Sequence, residues 1–157
     1  GPIKLSDETE KWIKEKGKEA LNLYSRDPKQ PGHPRAIKKE IKEIMWNYAG
    51  PVRTESELKQ GLNELEQVEA ELLPILHAKG SPFWLREAYE ARNMVLASKM
   101  IIKSALYRTE SRGMPQRLDY PEKDNVNWLK NILLKSSKDG MELYTKPVNL
   151  IWSKPSK

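Results

Sequence analysis

Up to Tyr107, apolar residues recur at three- and four-residue intervals, and that spacing predicts four helices. The first runs from residue 6 or 7 to 25. Ser6 is placed to cap it, Asp7, Glu8 and Glu10 favour its positive end, and Trp12, Ile13, Ala20, Leu21 and Tyr24 give a partial stripe. The next stretch, RDPKQPGHP, holds three prolines and a glycine and reads as a loop. A second helix opens at Pro34, whose fixed φ suits a first turn, and carries Ile37, Ile41, Ile44, Met45 and Tyr48 until Gly50-Pro51 stops it. The third opens on Thr54-Glu55-Ser56-Glu57, a capping-box pattern. Leu58, Leu62, Leu65, Val68, Leu72 and Leu76 hold one of its faces, and Pro74 must kink or end it. The fourth, residues 82–107, follows a Gly80-Ser81 turn. It is the most apolar: between Met94 and Ile102 only Ser98 and Lys99 are polar, which predicts a helix covered on most sides.

Past Tyr107 the pattern breaks. Residues 108–124 are dense in charge, and Gly113, Pro115 and Pro121 prevent a continuous helix. Trp128, Leu129, Ile132 and Leu133 then predict a short helix over residues 125–134, followed by a turn at residues 136–140. The closing MELYTKPVNLIW reads as two short extended segments around Lys146-Pro147, with Val148, Leu150 and Trp152 alternating, and SKPSK ends in a frayed tail. The expected fold is mainly α: an up-and-down bundle of three to four helices, a charged loop, a short helix and an extended tail. Residues 1–33 form an N-terminal helix and Pro-rich loop, and residues 34–157 the bundle with its C-terminal segment.

Composition narrows the chemistry more than the fold. The 157 residues contain no cysteine, which removes disulfides, thiolate metal sites, iron–sulfur ligation and a cysteine nucleophile together. Two histidines, His33 and His77, cannot build a histidine-rich metal site. Neither helix nor loop offers the roughly 20 apolar residues of a membrane span. A net charge of +6 would suit nucleic acid, but the basic residues alternate with Glu in IKKEIKEI and EKWIKEKGKEA, the pattern of a solvated helix face. A free-standing basic module binding nucleic acid is the alternative to the reading reached below.

No GxGxxG, GxxxxGK[ST], GxSxG or HExxH is present, so the chain carries no dinucleotide or phosphate cradle of its own. His77 reads as a helix-end histidine and His33 as a cap or loop residue. The unusual stretch is Arg108-Thr109-Glu110-Ser111-Arg112-Gly113 with Arg117, Asp119 and Tyr120. Three arginines and two carboxylates where a buried helix ends are costly unless they pair. They form either an ion-pair lock, which the planar guanidinium suits, or a catalytic group in which one arginine is a proton donor or an anion clamp.

The stretch RTESRGMPQRLDYPEKDNVNWL, residues 108–129, resembles the R-x-E-S-R-G…R-x-D-Y/F-P-x-x-D-x-x-N-W-L signature of fumarate reductase, succinate dehydrogenase and L-aspartate oxidase flavoproteins. MWNYAGPVRTESELKQGLNEL, with Gly50 and Arg53, is similar to an upstream segment of that family, and YTKPVNL to its closing strand. Where members commonly carry Ala-His after the signature glycine, this chain has Met114-Pro115. The resemblance implies a C-terminal helical domain cut from a larger flavoprotein that uses FAD on succinate, fumarate or a related dicarboxylate. It implies no cofactor, metal or catalytic residue in this segment, which alone would be inactive. Its partners would be the FAD-binding domain of the same chain and an iron–sulfur subunit, with no nucleic acid and no direct membrane insertion. The location implied is cytoplasmic, peripheral to the inner membrane through partner subunits. Arg108, Glu110, Ser111, Arg112, Gly113, Arg117, Asp119 and Tyr120 are then an interdomain lock.

Overall fold

The computed structural model describes residues 4–28, 32–138 and 140–149. Four helices dominate: α1 (Asp7–Ser25), α2 (Pro34–Tyr48), α3 (Glu55–Gln67) and α4 (Pro82–Tyr107). Four strands accompany them: β1 (Val52–Arg53), β2 (Gln116–Arg117), β3 (Lys130–Ser137) and β4 (Gly140–Pro147). The chain forms two compact units, one of residues 1–40 and 67–95, the other of residues 41–66 and 96–157.

In the first unit the helix boundaries follow the capping signals. Ser6 accepts from the Thr9 N–H at 3.2 Å and starts α1. His33 starts α2: its carbonyl accepts from Ala36 and Ile37, and its Nδ1 from Arg35. The stripe expected on α1 is not buried, however. Trp12, Ile13 and Leu21 are exposed, and Leu23 is the buried residue, because α1 is held by its last turn. There the Leu23 and Tyr24 carbonyls accept from Ala78 and Gly80, and Arg26 reaches the Pro74 and Leu76 carbonyls. Pro74 acts as expected, with a detail the sequence hid. Lacking an N–H, it cannot continue an i→i+4 ladder. The chain answers with a π turn, Val68–Leu72, in which the Leu73 N–H reaches back to Val68, and then a 3-10 turn, Leu73–Ile75.

In the second unit Leu58, Gly61 and Leu65 make the buried stripe of α3. Gly61 is there for closeness: a Cβ on it would lie 2.7 Å from the Tyr48 Cβ and 3.3 Å from Ile102 Cδ1. The second half of α4 departs from expectation. Ile102 is buried, but Leu96 and Ile101 are 52% and 51% exposed, so this helix is apolar on a side that the described residues leave open.

The short helix predicted over residues 125–134 does not form. Asp124 accepts from the Val126 and Asn127 N–H groups and its carbonyl from Trp128, which closes a single turn. The Arg108 guanidinium then donates to the carbonyls of Trp128 and Lys130, at 3.1 and 2.9 Å, and the Lys130 N–H turns back onto the Trp128 carbonyl at 2.7 Å, so no i→i+4 ladder follows the turn. The chain extends instead into β3, which pairs antiparallel with β4 from Lys130↔Pro147 to Ser137↔Gly140. Leu129, Ile132 and Leu133 fit either period over so short a run. Strand β4 also runs through Lys146-Pro147 unbroken, and Val148 continues the pairing by donating to Leu129. Leu150, Trp152 and the tail after them lie outside the described residues.

Gly61→Ala is expected to destabilise the chain by about 1–3 kcal/mol, the cost of forcing a methyl into a filled contact. A lowered urea midpoint would show it; an unchanged midpoint would mean that Tyr48 moves aside freely.

Candidate functional site

Sequence-distant segments meet in the second unit through a two-residue parallel pairing, Val52↔Gln116 and Arg53↔Arg117. It is fixed by the Gln116 N–H on the Pro51 carbonyl (2.7 Å) and the Leu118 N–H on the Arg53 carbonyl (3.0 Å). Around it the structure brings together all eight of the sequence-predicted residues and one that sequence analysis had left aside.

Glu110 is the centre. Its side chain is fully buried and accepts four hydrogen bonds: from Arg108 Nη1 (2.5 Å), Arg112 Nε (2.7 Å) and Nη2 (3.0 Å), and the Asp124 N–H (2.8 Å). Burial pushes its carboxyl upward, but Arg112, the Asp124 N–H and Arg108 together outweigh that and hold it below its ordinary value. Arg108 also stacks over Trp128, at 5.2 Å, whose indole N–H donates to Thr109.

Arg117 is the second knot. Its Nη1 donates to the Ala105 and Arg108 carbonyls at the end of α4, where unpaired carbonyls and the negative dipole end favour a cation. Its Nε and Nη2 fork onto the two oxygens of Asp119, at 2.8 and 2.6 Å, over the ring of Tyr120. Asp119 in turn accepts from the Glu55 N–H, while Thr54 and Glu57 form the expected capping box. The carboxyl of Asp119 is held below its ordinary value, by Arg117 first. Ser111 ties the loop to itself, accepting from the Arg117 N–H and donating to the Tyr120 carbonyl, both at 2.8 Å. Gly113 turns the chain at φ +67°, a conformation that side chains disfavour.

The residue left aside is Arg53, only 8% exposed and brought beside Arg117 by the β1–β2 pairing. It stood in the family-like upstream segment as a lone arginine with no local partner, and only the pairing of β1 with β2 gives it a neighbourhood. These arginines are among the residues that line a groove of about 650 Å³. Ala97, Met100, Ile101, Ser104 and Ala105 line it at helical spacing from α4, Ile132 and Leu134 from β3. Among the described residues no three His, Asp or Glu side chains gather as a metal site, and no helix is long and apolar enough to cross a membrane.

Residues 38–157 match the family described as fumarate reductase flavoprotein C-term. The chain is similar to the succinate dehydrogenase flavoprotein subunit of Coxiella burnetii, 33% identical over 126 residues, which are 78% of this chain and 21% of that protein. It is similar to the L-aspartate oxidase of Acinetobacter baylyi, 39% identical over 83 residues, 53% of this chain and 15% of the other. In fold it is like E. coli quinol fumarate reductase, with a TM-score of 0.81 at 21% identity over 99% of this chain and 27% of that one. The matches span 14–21% of the length of these and similar curated relatives.

Glu110→Gln is expected to cost about 2–4 kcal/mol, somewhat less than breaking a fully buried pair, since Arg108 and Arg112 keep 23% and 29% exposure. Because its folded carboxyl sits low, Glu110 stabilises the fold above its ordinary value of 4.5, and that contribution is lost as pH falls below it. Denaturant unfolding from pH 7 to 3 should show a shallower acid loss in the variant than in the parent protein; equal slopes would refute the assignment.

Proposed function

The chain belongs to the fumarate reductase flavoprotein C-terminal family, and on that footing we propose that it braces the flavin-binding part of an FAD-dependent dicarboxylate oxidoreductase without supplying reacting groups. The observation that carries this reading is the signature network itself. Every carboxylate and guanidinium of residues 108–119 is committed to a structural partner, so the loop is a rigid platform rather than a set of free acids and bases. Its eight residues are the lock that fixes this platform for its neighbour.

FAD itself does not fit these residues alone. A dinucleotide cradle needs a strand leading through a glycine-rich turn into a helix. Among the described residues β1 leads into α3 through Thr54, and the first N–H of α3 is already taken by Asp119. The parallel pairing is two residues long. The flavin chemistry of this family is therefore assigned to a neighbouring part. The Coxiella relative is by name a subunit, which supports an electron-transfer partner such as an iron–sulfur protein.

Titrated with FAD, the chain is expected to leave flavin fluorescence unchanged, and with FAD, succinate and an accepting dye it should give no turnover beyond free flavin. Tight FAD binding or turnover defeats the non-catalytic reading. Added to the Acinetobacter relative's flavin-binding part, produced without its own matching residues, the chain should raise that part's Tm; an unchanged Tm counts against bracing.

A further inference from the structure

Among the described residues, Arg53 is a buried charge left unsettled. Its Nε is buried and has no hydrogen-bond partner, and among the described residues no carboxylate lies within ion-pair distance of it. Its neighbours make matters worse: burial first, and then the adjacent Arg117, weaken its hold on the proton. Glu110 and Asp119, the two carboxylates of the cluster, are engaged by Arg112, Arg108 and Arg117. A water molecule in the groove would satisfy the N–H and leave the charge. A buried guanidinium without an anion is costly enough that one is expected there.

We infer that Arg53, where it lines the groove together with Met100, Ile101, Ile132 and Leu134, is a receptor for a single carboxylate carried on an apolar body. The Nε edge of a guanidinium presents two parallel N–H groups, which match the two oxygens of a carboxylate. A phosphate or sulfate fits less well. Arg117 is spent on Asp119 and on carbonyls, Arg108 and Arg112 on Glu110, so the further oxygens of a tetrahedral anion would find mostly aliphatic walls, with the Ser104 hydroxyl the exception among the lining residues named above. The same walls, with Ile101 half exposed, give an apolar carrier surface to bury. The carrier is either a free short-chain acid or an Asp or Glu side chain of a polypeptide. The inference stands on the surroundings of Arg53 and not on the bracing role proposed above.

The test follows the arginine side-chain Nε–Hε resonances of the 157-residue chain by ¹⁵N NMR during titration with three probes. These are butyrate, its neutral isostere butyramide, and a blocked peptide with Glu between two leucines. A saturable shift of the Arg53 signal with butyrate, absent with butyramide, supports the site and marks a free acid as sufficient. A shift with the peptide alone supports it and marks a side-chain carboxylate. Arg53→Met should weaken the effective probe by about tenfold or more, the worth of a charged hydrogen bond. Arg86→Met, an exposed arginine of the first unit, should leave it unchanged. The inference is overturned if neither acid moves the Arg53 signal, if butyramide moves it equally, or if Arg53→Met binds as well as the parent. The resonance readout on the unsubstituted chain decides the matter even where the variant does not fold.

Discussion

A carboxylate sealed from water organises the second unit. Glu110 cannot be left alone at that depth, and the groups that satisfy it come from three directions: the end of α4 through Arg108, the loop through Arg112, and the turn before the hairpin through the Asp124 N–H. Arg108 also donates to the carbonyls of Trp128 and Lys130, so the same charge that answers Glu110 anchors the chain where it enters β3. Removing the acid would leave two arginines without their shared carboxylate. The coupling explains why so charged a loop is so closely placed, since each polar group is the condition for another.

Asp119 and Arg117 repeat the principle at a second helix pair. One guanidinium closes the carbonyl end of α4, its partner carboxylate closes the N–H end of α3, and their mutual fork joins the two helix ends. Both dipole ends are thereby met by charges of the favourable sign. A segment without regular structure achieves in this way what a buried apolar contact does elsewhere.

How much of this could be read from residues alone depended on the range of the interactions. The caps at Ser6 and Thr54, the start at Pro34 and the full extent of α4 were legible because they are local: a hydroxyl, a fixed φ or a run of periodicity acts within a few residues. The arginine–carboxylate pairing was legible as chemistry, because so many charges at a helix end must pair. The extended run of β4 was legible too, but β3 was not, since Ile132 and Leu133 fit two periods and Arg108, which binds the Lys130 carbonyl, stands over twenty positions away in sequence. The open side of α4 was misjudged for a related reason. Apolar residues on every face predict cover, but Leu96 and Ile101 lack it among the described residues. Arg53 was invisible as a site residue because its neighbour Arg117 is reached only through β1 and β2.

That two-residue pairing has a consequence for the order in which the molecule assembles. Helices α3 and α4 draw on neighbours in sequence and can form early, whereas Arg53 and Arg117 meet only when the whole intervening stretch has closed into a loop. Long closures are paid for in chain entropy before any contact returns it. The meeting of Arg53 with Arg117 is thus expected after the helices, since like-charged partners give it no early pull. Amides at Gln116 and Leu118, whose acceptors are the Pro51 and Arg53 carbonyls, stand as the gauge of that last closure. A nascent chain can have all its helices and still lack this meeting of distant segments.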